Sequence, residues 1–161
     1  MRGREWFREA DRWSASLLLI GLLTACGSSA TPTPVTTGET LDCQLFQTTV
    51  NPIFDQNIGG QTCSASGCHS VFGPSGGTFK IYPNAQPNSV EMQANYLSAK
   101  GASNLSSPSS SKLLREPLDL AADPIAGGHG GDNIFTIADP YYTTILVWIS
   151  TRVAGPSACF P

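Results

Sequence analysis

Two cysteines and one histidine lie close together near the middle of the chain, in the stretch QTCSASGCHS, Gln61 to Ser70. Four small residues separate Cys63 from Cys68, and His69 follows the second cysteine directly. Thiols and an imidazole in this order can form three kinds of site: a plain disulfide, a zinc site, or a point of covalent haem attachment.

The three kinds of site make different use of these residues. A structural zinc ion needs four ligands, and the sequence offers Cys63, Cys68, His69 and His129. Adjacent Cys68 and His69 would both have to face one small ion, and exported thiolate sites compete with disulfide formation. A Cys63–Cys68 disulfide is chemically easy, but it gives His69 no role. Covalent haem uses all three residues, because two thiols add to the vinyl groups and the histidine becomes the proximal iron ligand.

The spacing of the two cysteines departs from the usual haem motif. That motif is C-x-x-C-H, whereas this chain has C-x-x-x-x-C-H. The four intervening residues are small, so a longer loop can bulge without pushing side chains into a porphyrin. Gly67 can also adopt backbone conformations that are closed to other residues. The pattern favours covalent haem, and the disulfide and the zinc site stay open as alternatives.

The start of the chain has the marks of an export signal. Four arginines precede the apolar run LLLIGLL, Leu17 to Leu23, and the stretch LTAC then ends at Cys26. A basic start, a short apolar segment and small residues before a break are typical of a signal peptide. The run is too short to span a bilayer as a permanent helix.

The LTAC stretch resembles a bacterial lipobox. The resemblance implies that residues 1–25 are removed and that Cys26 is lipidated and becomes the mature N-terminus. An ordinary secretory signal with a chance cysteine is the alternative. We therefore expect a membrane-anchored lipoprotein that faces the periplasm or the cell surface. By resemblance to other lipoproteins, Gly27 gives no retention signal, which favours the outer membrane.

Composition divides the remainder into a spacer and one domain. Residues 26–40 are mainly Gly, Ser, Thr and Pro, which predicts a flexible spacer. Residues 41–161 are then one domain, and its abundant Gly, Pro and Ser predict long loops. Without residues 1–25, five Lys and Arg oppose nine Asp and Glu, a net charge of −4. No basic patch is available for nucleic acid, so we exclude nucleic-acid binding.

The cysteines fall into three groups. The chain has five of them, and lipidation would consume Cys26. Unpaired thiols are uncommon in an oxidising compartment. Cys43 follows the spacer and Cys159 lies near the end of the chain, so we expect a long-range disulfide between them. Cys63 and Cys68 remain as the local pair.

Apolar periodicity predicts helices at both ends of the domain. A helix is expected over residues 42–57, with a kink or a break at Pro52. A short helix is expected within residues 107–118, with a serine N-cap and inward-facing Leu113 and Leu114. The clearest helix begins with Asp139 as N-cap and Pro140 as first residue. Its apolar stripe consists of Tyr142, Ile145, Trp148 and Ile149.

The order of these motifs resembles the monohaem cytochrome c domains of exported bacterial proteins. The motifs are VNPIF, the C…CH element, SSKLLREPL, GGHGG and DPYYTTILVWIS, and they cover most of residues 41–150. The resemblance implies an all-α, cytochrome c-like fold of few helices with long Gly/Pro/Ser-rich loops around one haem. It implies electron transfer to a redox partner protein, with Cys63 and Cys68 as thioether anchors and His69 as proximal ligand.

The sixth iron ligand has two candidates, because no other Met or His follows the predicted signal. His129, in AGGHGG, is preferred because it is the second imidazole and precedes the last helix. An open or water-bound position comes next. Met92 is the less favoured ligand, and core filling is its alternative role. We expect an electron carrier, with peroxidase-like activity only if the sixth iron position is open.

A second function from another class stays open. The chain could be a haem-free, disulfide-stapled surface lipoprotein that acts as a binding or interaction module for a partner or a glycan. Nucleotide binding has no support, because the stretch FGPSGG, Phe72 to Gly77, is too short and follows no predicted βαβ unit.

Overall fold

The computed structural model of the protein describes residues 38–118, 129–131, 133–154 and 160. The chain divides into two units, Met1–Val35 and Thr36–Pro161, and all described residues belong to the second. The predicted signal peptide, the lipidation site Cys26 and most of the predicted spacer lie outside the described residues. Within the described residues, no helix is both long enough and apolar enough to cross a membrane.

The first helical stretch runs through three segments without a break. They are α1, Cys43–Leu45, a π-helical segment, Phe46–Val50, and α2, Asn51–Phe54. Asp42 caps the stretch, because its Oδ1 accepts a hydrogen bond from the Leu45 amide at 2.9 Å. The helix predicted over residues 42–57 is therefore present, and it ends three residues earlier than predicted.

The π-helical segment accommodates Pro52 within this helical stretch. Proline has no N–H, and its ring crowds the carbonyl four residues earlier in an α-helix. The wider π-helical turn provides the room, and the Asn51 amide donates to the carbonyl of Phe46, five residues back. The helix type therefore changes just before Pro52.

Three further helices follow. Helix α3 spans Val90–Gly101, α4 spans Lys112–Arg115 after a 3₁₀ turn at Pro108–Ser110, and α5 spans Pro140–Ser150. Leu113 and Leu114 on α4 are buried as predicted. Asp139 precedes α5 as predicted, but its carboxylate accepts hydrogen bonds from the amide and hydroxyl of Thr136 instead of from the helix.

The first helical stretch packs against α5 at the centre of the core. The rings of Phe46 and Trp148 lie 5.1 Å apart between centroids. The Trp148 Nε1 donates a hydrogen bond of 2.8 Å to the carbonyl of Asp42. Ile145, Trp148 and Ile149 of the predicted stripe are buried, whereas Tyr142 is half-buried. The two helices at the ends of the domain therefore form one apolar unit.

A short antiparallel sheet joins the two ends of the helical domain. Strand β1, Thr40–Leu41, pairs with β2, Arg152–Val153, with Thr40 opposite Val153. The all-α prediction did not include this sheet, so the described fold is mainly helical with one two-stranded sheet. Two-residue strands are too short for alternating polarity to indicate them.

Cys43 differs from the other described cysteines in its oxidation state. Cys43 is buried and disulfide-bonded, and its partner is not among the described residues. Cys159 lies outside them too, so the Cys43–Cys159 pairing stays a prediction. Phe160 packs on Tyr96 with ring centroids 5.4 Å apart, and the Tyr96 hydroxyl donates to the carbonyl of Leu41. The chain beside Cys159 therefore lies near the start of the first helical stretch.

A buried amide connects the helices to the segment that faces the site. The Asn95 Nδ2 donates to the Asn51 side chain at 2.8 Å and to the Tyr82 carbonyl at 3.0 Å. The Asn95 Oδ1 accepts from the Tyr82 amide at 2.7 Å. Because buried polar groups must be paired, this side chain fixes the position of Tyr82 relative to α2 and α3.

Candidate functional site

The cysteine loop is held against the end of α2. The Ser64 amide donates to the carbonyl of Phe54 at 2.9 Å, and its hydroxyl donates to the Asp55 carboxylate at 2.6 Å. The His69 amide then donates to the Cys63 carbonyl at 2.9 Å. This last bond closes the loop and brings the histidine back beside the first cysteine.

One cavity of about 610 Å³ lies next to this loop. Its volume is within the range of about 300–1,000 Å³ that is typical of small-molecule and cofactor sites. Four residues singled out from the sequence line it together: Cys63, Cys68, His69 and His129. The wall is otherwise largely apolar and includes Ile53, Phe54, Phe79, Leu113, Phe135 and Ile145. The cavity can therefore hold a large, mostly apolar group.

Backbone carbonyls fix the orientation of His69. Its Nδ1 lies 2.9 Å from the carbonyl oxygen of Phe79 and 3.2 Å from that of Gly76. Carbonyl oxygens only accept hydrogen bonds, so Nδ1 carries the proton and Nε2 keeps its lone pair. Burial lowers the pKa of His69, and the nearby His129 and Lys80 lower it further. The hydrogen bonds to the Phe79 and Gly76 carbonyls raise it, but the net shift is downward. The imidazole is therefore neutral, which is the form that binds metals.

His129 faces this lone pair. The two Nε2 atoms of His69 and His129 lie 3.4 Å apart, although 60 residues separate them along the chain. Their ring planes differ by 22°. Two imidazoles that hold one metal ion between them, with nitrogen–metal bonds of about 2.0 Å, are about 4 Å apart. The pair is therefore about half an ångström short of that separation.

The segment around His129 is attached to the end of α4. Leu118 and Phe135 form an isolated parallel bridge, and the Ile134 amide donates to the Pro117 carbonyl at 2.9 Å. Gly131 leaves room for the imidazole, since a Cβ there would lie 3.2 Å from the His129 ring. These contacts bring the second histidine to the cavity.

Cys63 and Cys68 are both free thiols, so the Cys63–Cys68 disulfide is not formed. Burial raises the pKa of Cys63 to about 11, and the neighbouring Cys68 adds to the effect. The Cys63 sulfur is therefore a protonated thiol at neutral pH. Across the described part of the chain, no group of three or more His, Cys, Asp or Glu side chains could hold a metal ion.

Two glycines of the stretch FGPSGG pack directly on the cysteine loop. Gly76 has a φ of +88°, and a Cβ there would lie 2.6 Å from both the Cys68 carbonyl oxygen and the His69 Nδ1. A Cβ on Gly73 would lie 1.8 Å from the Ser66 carbonyl oxygen. From its sequence this stretch was considered only for nucleotide binding, and its role as the support of His69 was missed. Its signal was a pair of glycines shortly after the CH element.

Met92 does not line the cavity. It lies on α3 with 2% of its surface exposed and packs in the hydrophobic core. Its side chain therefore serves the role that the sequence analysis gave as the alternative to iron ligation. Of the two candidates for the sixth ligand, the structure places His129 at the site.

No protein-family model, curated protein or solved structure matches this chain. The resemblance to monohaem cytochrome c domains therefore stays a prediction from the sequence motifs.

Proposed function

We propose that the protein is an exported electron-transfer protein that carries one covalently bound haem c. The observation that supports this most is the convergence of Cys63, Cys68, His69 and His129 on one largely apolar cavity. Cys63 and Cys68 would anchor the porphyrin as thioethers, His69 would be the proximal ligand, and His129 the distal ligand. A cytochrome c-like arrangement of the helices is part of the same proposal.

The residues present fit this group in three respects. The thiols of Cys63 and Cys68 are free to form thioethers. The Nε2 lone pair of His69 is available, because its Nδ1 proton is engaged by carbonyls. The His69 and His129 nitrogens already face each other at a distance close to that across a metal ion. The haem, when bound, would supply an iron that changes oxidation state by one electron.

Residues of the chain would set the reduction potential of that iron. The Phe79 and Gly76 carbonyls strengthen the electron donation of His69 by holding its Nδ1 proton, as second-layer hydrogen bonds do at metal sites. The largely apolar wall lowers the polarity of the site, and a site of low polarity disfavours the more highly charged oxidation state. Two imidazole ligands, without a thioether ligand, would place the reduction potential below that of His/Met cytochromes of similar burial.

The location of the protein is part of the proposal. We infer that Cys26 carries a lipid anchor and that residues 26–40 connect it to the domain, which would face the periplasm or the cell surface, with the outer membrane preferred. The partner would be a redox protein. The chain beyond residue 25 has a net charge of −4, which favours partners with a basic docking surface.

The decisive experiment is expression of the full chain with and without a cytochrome c maturation system. With it, we expect sharp reduced α and Soret bands, and haem that stays on the protein through denaturation and acid–acetone extraction. The double variant Cys63→Ser/Cys68→Ser should retain no covalent haem. A wild-type protein without haem would instead favour the alternative, a haem-free binding module on a surface lipoprotein.

The distal ligand needs a separate test. If His129 binds the iron, the wild-type spectrum should be low-spin, and His129→Ala should become high-spin and bind carbon monoxide. Met92→Leu is the matched control, because it replaces the other candidate ligand by a side chain of similar volume. A wild-type protein that is already high-spin, or a low-spin spectrum lost only in Met92→Leu, would argue against His129.

A further inference from the structure

Lys80 makes an unusual set of contacts beside His69. Its Nζ donates hydrogen bonds to the carbonyl oxygens of Gly73 at 2.8 Å, Ser70 at 3.4 Å, and Ser75. An ammonium group has three N–H donors and no acceptor, so three carbonyls around one Nζ use its full capacity. The side chain therefore gathers the backbone of residues 70–75 around one point.

That backbone leads directly to the group that orients His69. Gly76 follows Ser75, and its carbonyl accepts from the His69 Nδ1. On the other side, Phe79 supplies the second carbonyl. Ile81, the residue after Lys80, donates its amide to the His69 carbonyl at 2.7 Å. Lys80 thus lies between the two backbone segments that hold the imidazole.

The loop has backbone anchors but little apolar packing: the Val71 amide donates to the Ile81 carbonyl at 3.0 Å, and Gly73 and Gly76 pack on the cysteine loop. None of residues 71–78 is fully buried, and Phe72 is 80% exposed. A loop that is rich in glycine and buries no side chain costs conformational entropy to hold in one arrangement. Within this segment, the three bonds to Lys80 supply an ordering contact that apolar packing does not.

We propose that Lys80 is a positioning residue for His69: its ammonium holds the loop that delivers the Gly76 carbonyl to Nδ1. This keeps the proton on Nδ1 and the lone pair on Nε2, toward the cavity. The inference rests on the proposed function only in taking His69 as an iron ligand. The location of the proton is a property of the haem-free chain and can be measured there.

The first test uses the full-length Cys63→Ser/Cys68→Ser chain, which cannot attach haem, with ¹⁵N-labelled histidine in detergent. Long-range ¹⁵N–¹H correlation spectra report which nitrogen of His69 carries the proton. We expect the Nδ1–H form with Lys80 present. Lys80→Met should move the tautomer ratio toward Nε2–H by about tenfold, the effect of losing one typical hydrogen bond.

Two variants serve as controls. Lys100 is also half-buried, but its Nζ donates to the Thr40 side chain on β1 and to no carbonyl of this loop, so Lys100→Met removes the same charge and should leave the ratio unchanged. Lys80→Arg keeps the charge and several donors and should retain the Nδ1–H form. Should Lys80→Met fail to fold, Lys80→Gln replaces it, because a neutral amide has only two N–H donors for three carbonyls.

The second test uses the haem-loaded chain. Lys80→Met should increase the high-spin fraction and raise the affinity for added carbon monoxide, because a less firmly held His69 would bind the iron more weakly. An unchanged His69 tautomer in Lys80→Met or Lys80→Gln would overturn the proposal, as would an equal change in Lys100→Met. Absence of haem would overturn the proposed function alone, because the tautomer test needs no haem.

Discussion

At the scale of single residues, the site depends on backbone groups as much as on side chains. His69 is held by two carbonyls and by a glycine that lets one of them approach. Cys63 is held in a half-buried position where loss of solvent raises its thiol pKa to about 11. Each of these arrangements predicts the outcome of a small chemical change.

Gly76→Ala should displace His69, because the new Cβ would meet its Nδ1 and the Cys68 carbonyl at 2.6 Å. We expect a loss of at least about 2 kcal/mol in the free energy of unfolding, from positive φ and overpacking together. Gly77→Ala is the matched control: its φ is +56°, but nothing lies within 4 Å of the new Cβ. Chemical denaturation measures both, and equal losses would contradict the crowding described at Gly76.

The Cys63 thiol should react slowly in the folded, haem-free chain. Its pKa is raised from 9.0 to about 11, and only the thiolate reacts with iodoacetamide. At pH 8 this lowers the reactive fraction about 100-fold relative to the unfolded chain. Mass spectrometry of the labelled peptide, with and without denaturant, gives the ratio.

The same pKa shift links the stability of the haem-free chain to alkaline pH. The unfolded thiol loses its proton near pH 9, whereas the folded thiol keeps it to about pH 11. Stability should therefore fall as the pH rises through this interval. Cys63→Ser, which does not titrate there, should flatten the decline; an unchanged pH profile would mean that the thiol is not buried.

At the scale of elements, the sequence predicted the parts that show a continuous apolar pattern. The first helical stretch and α5 follow from apolar residues at helical spacing and from Asp and Pro at the expected ends. Helix α3 lacks such a pattern. Its buried face includes the polar Asn95 and the small Ala99, so hydrophobic periodicity is interrupted there.

The contact between the first helical stretch and α5 should depend strongly on Trp148. Trp148→Phe removes its hydrogen bond to the Asp42 carbonyl and leaves a cavity beside Phe46. We expect a loss of about 2–3 kcal/mol in the free energy of unfolding. Val147→Ala, at a neighbouring position that is 52% exposed, should cost under about 0.5 kcal/mol. Similar values for the two variants in denaturant unfolding would contradict the assigned core.

The sequence predicted the side chains of the candidate site but not the backbone contacts that hold them in place. Cys63, Cys68 and His69 stand together in the sequence, and His129 is the second histidine, so all four were identifiable. The roles of Gly76, Phe79 and Lys80 rest on backbone carbonyls, and any residue has a carbonyl. Apart from Gly73 and Gly76, no residue type marks these contacts, and the folded path of the chain reveals them.

At the scale of the whole molecule, the proposal joins a lipid anchor, a spacer and a domain. Cys26→Ala should abolish acylation and move the protein from the membrane fraction to the soluble fraction, while the haem spectrum stays the same. Fractionation with a blot and mass spectrometry of the N-terminal peptide measure the two effects. An unchanged distribution would exclude the anchor at Cys26, and Ser28→Ala controls for changes near the cleavage site.

The short sheet also determines how this domain would respond to force. Thr40 pairs with Val153 and Leu41 with Arg152, so a load that pulls residue 39 away from residue 154 would open the pairs one after the other. Such unzipping takes little force, because each pair carries the load alone. The disulfide at Cys43 lies just behind the second pair. With the expected Cys43–Cys159 pairing, single-molecule pulling should show early opening that stops there under oxidising conditions and continues into the helices after reduction; opening that continues under oxidising conditions would contradict that pairing.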